Sequence, residues 1–164
     1  MKTIPYEEAE AIWQSLLETP PEHGKKFMDR LLNMQPALVV YLSTLMESEK
    51  PTETQSTYFF IGIAALQVIL TKYPKLPAVT PDELVEAEER NIEFLSKLDN
   101  DPPMKFGDNT ATLINNYNQM PLLGIVLEAL MEGNEDTMEL VEEESGMALL
   151  RIKSMIDCLD AKLN

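Results

Sequence analysis

Cysteine, histidine and tryptophan each occur once in this chain of 164 residues, and basic residues are scarce, 13 against 28 acidic ones. Each shortage narrows the functions open to it. A single cysteine, Cys158, allows no disulfide within the chain. The lone histidine, His23, cannot supply the Glu-x-x-His pairs of a two-metal carboxylate bundle, and it lies in the segment PPEHGKK, where it reads as a surface residue. A zinc site built from one Cys and one His would need acidic ligands that no pattern supplies.

The formal net charge is −15, and the best local basic pair is Lys25-Lys26. That leaves no cluster to neutralise nucleic-acid phosphates, and an anionic membrane surface would repel the chain. A basic protein partner is compatible with the charge, which also serves as a plain solubility device. No Gly-x-Ser-x-Gly elbow and no glycine-rich phosphate loop occurs. An EF-hand begun at Asp99 would place Pro103 and Met104 where an oxygen ligand and a glycine are required. Glu139, Glu142 and Glu143 share a helical face and read as solvated. The N-terminal stretch MKTIPYEEAEAIW has no apolar h-region. The apolar run Tyr58 to Leu70 is shorter than the about 20 residues of a membrane helix. A cytoplasmic protein with no cofactor is expected.

Helical periodicity fills what remains. The expected fold is all-α: one domain over 1–164, a bundle of about seven or eight helices joined by short proline-rich loops. The first helix should run from about Pro5 to Glu18 with Thr3 as cap, the second from about Glu22 to Leu32 and the third from about Met34 to Glu49. STYFFIGIAALQVILTKY (56–73) is apolar almost all round, which marks the central helix. Gly62 and Ala65 within it would let a neighbour approach closely. TPDE (80–83) is the clearest helix start, with Thr80 as N-cap, Pro81 at the first position and Glu83 closing a capping box. That helix should bury Leu84, Val85, Ile92, Leu95 and Leu98. The last helix should extend from about Glu135 to Leu163 with Leu149, Ile152, Met155, Ile156, Leu159 and Leu163 on one stripe, and Cys158 outside it. Arg151 and Lys162 near Cys158 would favour a thiolate, though an inert, partly buried thiol is the commoner outcome.

NMQPALVVYLSTLME (33–47) and NQMPLLGIVLEALME (118–132) align without gaps. The match suggests a pseudo-repeat of helix pairs, against the plainer account that two leucine-rich helices start alike. In either case Asn33 and Asn118 are expected to cap helices, with Pro36 and Pro121 in the first turn.

Three functions fit this pattern. The first is a non-enzymatic protein acting through protein–protein contacts, with a basic partner or as a homodimer; Phe106 in the loop MKFG is a candidate anchor for a partner. The second is a small-ligand binding or sensing bundle. In it Asn115, Asn116 and Gln119, with the Tyr117 hydroxyl, would form the polar end of a cavity. Capping of the helix break competes for the same amides. The third is an enzyme using a carboxylate such as Glu93 or Glu128, which would need burial in a cleft.

Overall fold

The computed structural model describes residues 1–46, 50–99, 117–132 and 138–163. Among them the protein is all-α, with seven α-helices, one short 3-10 turn and no strand. The helices are α1 (Tyr6–Leu17), α2 (Gly24–Met34), α3 (Pro36–Ser43), α4 (Glu53–Lys72), α5 (Pro81–Asp99), α6 (Met120–Glu132) and α7 (Met138–Ala161).

α4 occupies the centre, packed against α1, α3, α6 and α7. Every residue from Ile61 to Leu70 is buried, because neighbours cover the helix on all sides over that stretch. Leu66, Ile69 and Leu70 are fully enclosed, and each such side chain contributes about 1.5–3 kcal/mol of burial. The helix starts earlier than the apolar run, at a capping box in which Thr52 Oγ1 accepts from Gln55 N–H and Gln55 Oε1 accepts from Thr52 N–H, both at 3.1 Å. This box lengthens α4 to 20 residues, long and apolar enough by length and composition to cross a membrane, yet 56% of its most apolar window is buried inside the protein. Gly62 has a steric role: a Cβ there would lie 2.8 Å from Leu42 Cδ2. Its absence lets α3 lie directly on α4.

α7 is the second organising helix and packs on α3, α4, α5 and α6. Its buried stripe contains Ile152, Met155, Ile156 and Leu159 as expected. Cys158 is buried as well, because α5 covers that flank, while Leu163 is exposed.

Several expected helix ends shift. Thr3 caps nothing: α1 begins after Pro5 with no side-chain cap, and the Thr3 hydroxyl donates to Asn118 Oδ1 at 2.8 Å. The second helix opens with a 3-10 turn, Pro21–His23, and continues through Met34, so Asn33 lies inside it. The break falls at Gln35 (φ −142°, ψ 63°), since Pro36 forces its predecessor out of the helical region. α6 starts where a boundary was expected, but Asn118 does not cap it; its amide is drawn into bonds with distant parts of the chain. In α5 the core-facing residues are Leu84, Ala87 and Asn91, whereas Val85 and Ile92 are exposed. The side chains of Leu95 and Leu98 lie outside the described residues.

Candidate docking groove and paired amide clamps

Gln119 is fully buried. Its Oε1 accepts from Ile4 N–H at 3.1 Å, and its Nε2 donates to Lys2 C=O at 3.1 Å and to Asp160 Oδ1 at 2.9 Å. The primary amide thus pairs with the C=O of one residue and the N–H of the residue two further on, as a neighbouring strand would. Gln35, also fully buried, does the same elsewhere. Its Oε1 accepts from Val79 N–H at 2.9 Å and its Nε2 donates to Pro77 C=O at 3.1 Å. Each glutamine stands immediately before a helix, α6 or α3, and each holds the extended segment that leads into α1 or α5.

The arrangement is reciprocal. A glutamine in the first half of the chain holds the lead-in to the second half, and a glutamine in the second half holds the lead-in to the first. Gln35 matches Gln119, one residue off the register that pairs Asn33 with Asn118.

A polar ribbon runs along α7 beside the second clamp. Asp157 accepts from Tyr117 OH at 2.5 Å, from Asn91 Nδ2 at 2.9 Å and from Lys153 Nζ at 2.8 Å. Asn91 Nδ2 also reaches Ser154 Oγ, and Asn91 Oδ1 accepts from Lys153 Nζ, which stands 4.6 Å from the Tyr117 ring centroid. Burial first, and the Asp157 charge second, raise the Tyr117 pKa, so its hydroxyl stays a donor. Of the residues expected to form a polar ligand end, Tyr117 and Gln119 therefore direct their polar atoms to the protein's own groups. Asn115 and Asn116 lie outside the described residues, as does Phe106. His23, Glu93 and Glu128 face solvent. The Cys158 thiol donates to Glu83 C=O at 3.2 Å, and burial pushes its pKa up to about 11 despite nearby Arg90 and Lys162.

An apolar groove of about 660 Å³ opens between α3 and α5. Pro36, Ala37, Val40 and Tyr41 form one wall; Val79, Pro81, Leu84, Val85 and Glu88 form the other. Leu84 and Val79 are buried in its floor, while Val40 and Val85 are 62% and 54% exposed. At the polar end the Tyr41 hydroxyl is buried beside Ser154 and Glu88. Burial, then the charge of Glu88, raises its pKa, which keeps it protonated. Behind it Arg151 approaches Glu88 at 4.0 Å and bonds Thr44 Oγ1.

No protein-family model, no curated protein and no solved structure matches the chain.

Sequence reasoning missed the groove because Val85 read as a core residue at helical spacing. It missed Gln35 because a lone glutamine before proline carries no local signal. The Thr52–Gln55 box was legible as T-x-x-Q ahead of an apolar run.

Proposed function

We propose that the chain is a non-enzymatic cytoplasmic docking protein whose α3–α5 groove receives an apolar segment of a partner protein. The observation that carries this reading is the contiguous apolar wall formed by exposed Val40 and Val85 over buried Leu84 and Val79. Isolated surface valines need no explanation, but two that face each other across a cleft offer an apolar partner segment a place to bury its own side chains. The acidic surplus favours a basic partner over a second copy of the chain, whose equal charge would repel. The apolar length of α4, enclosed within the bundle, supports residence in an aqueous compartment.

The same reading takes the two halves as copies of one helical unit. The reciprocal glutamine clamps support it. A small-ligand role is the second reading, favoured by a groove volume within the roughly 300–1,000 Å³ range of ligand pockets.

Photo-crosslinking tests the docking role. With the reactive side chain at position 85, a discrete adduct with another protein is expected in cells. The same group at exposed Leu17, away from the groove, should not form that adduct. Absence of any protein adduct from position 85 sinks the docking role.

A further inference from the structure

We infer that the occupant of the α3–α5 groove is an amphipathic helix carrying Lys or Arg beside its apolar stripe. This rests on the docking role above and specifies the chemistry of the partner.

Shape supports a short helical contact. On α5 the wall residues Pro81, Leu84, Val85 and Glu88 span two helical turns, about 10 Å at 1.5 Å per residue. Apolar side chains at i, i+3 or i+4, and i+7 of an incoming helix cover the same length. Val40 stands opposite on α3, so an inserted side chain would meet apolar surface on both sides.

Charge selects the flanks. Asp82 and Glu89 are three residues before and four after Val85, on the same face of α5, and both are exposed. With Glu88 they surround Val85 with carboxylates. α3 (PALVVYLS) carries no charge of either sign. A helix seated here therefore meets an apolar wall on one side and an acidic rim on the other. At the inner end the Tyr41 hydroxyl lies near Glu88 and Ser154, and a lysine or arginine reaching inward would share the Glu88 carboxylate with Arg151, which stands 4.0 Å from it. A second copy of this chain fits less well, since its acidic surface would face the same carboxylates.

The test titrates the whole chain with a fluorescent synthetic helix of Leu, Ala and Lys, and with a counterpart in which Glu replaces Lys on the same apolar stripe. Saturable binding of the Lys helix is expected, with the Glu helix at least about tenfold weaker. V40D should weaken the Lys helix by at least about tenfold. This variant is diagnostic because it adds a negative charge, which would strengthen any purely electrostatic attraction. V85D serves as the second variant. E88Q should weaken binding about three- to tenfold and reduce its salt dependence, while L17D, away from the groove, should leave it unchanged. Equal binding of the two helices, or wild-type affinity in both V40D and V85D, overturns the inference. If position 85 still crosslinks to a protein in that case, the docking role survives and only the helix chemistry fails. An adduct of two copies of the chain would overturn the inference in favour of self-association.

Discussion

The α1–α6 seam and the α3–α5 seam are built from the same parts and end differently. In each, a glutamine before one helix holds the extended lead-in to the other. α1 and α6 then pack together. Tyr6 on α1 faces Glu10 and Glu128, whose charges raise its pKa. α3 and α5 diverge into a groove instead. The difference lies in what surrounds the clamp. Gln119 is joined by Asp160 and Asn118, and Asn118 bonds Thr3, Met1 C=O and Asp160 in turn. Among the described residues the Gln35 side chain makes only its two bonds to the lead-in. A shared local geometry thus does not decide whether two helices close; the additional tertiary bonds and the facing side chains do.

The largest effect should come from removing the clamps one at a time. Q119L leaves Ile4 N–H, Lys2 C=O and part of Asp160 without their partner, and at about 1–3 kcal/mol for each buried group the total loss should reach about 3–9 kcal/mol. Q35L should cost less, about 2–6 kcal/mol, as it strands two groups. Chemical denaturation of both variants measures the gap, and equal losses would show that the Asp160 connection adds nothing. Next comes G62A, which forces Leu42 away from α4 and so disturbs α3, one wall of the open seam. Overpacking of this kind costs about 1–3 kcal/mol.

The helix starts differ too. Thr80 and Glu83 form a reciprocal box at α5, with Glu83 N–H donating to Thr80 Oγ1 at 3.3 Å and Thr80 N–H to Glu83 Oε2 at 2.8 Å. α1 has no side-chain cap. T80A should therefore cost about 0.5–2 kcal/mol. The Lys162 hydrogen bond, followed by the Thr80 N–H, holds the Glu83 carboxyl below its ordinary value of 4.5. Because the folded pKa is lowered, the stabilisation is present above about pH 4.5 and disappears as pH falls through the folded pKa. Amide exchange at the start of α5 should accelerate in acid before exchange at the start of α1 does. Cys158, bonded to the same turn of α5, should resist alkylation at pH 8 in the native protein, since burial pushes its pKa up to about 11. Rapid native-state labelling would contradict its burial. The smallest stability effect is expected from V85S in the groove, within about ±0.5 kcal/mol.

Residues with local causes were the most legible. The Thr80–Glu83 box, the end of α1 ahead of Pro20-Pro21 and the continuous apolar run of α4 all act within a few residues, and each appears in the fold close to its expected place. The amide segment near Tyr117 was legible as a boundary but not in its roles. Asn118 has the chemistry of a cap, yet it bonds residues more than a hundred positions away in sequence.

By itself, then, the sequence determined the helical class, the central place of α4 and the acidic character of the exterior, because periodicity, capping and charge act along the chain. Only the tertiary structure decided that Gln35 and Gln119 clamp opposite halves, that Cys158 is buried and that Val85 is exposed. Each of those outcomes depends on which helix lies alongside, and helical spacing alone carries no record of the neighbour.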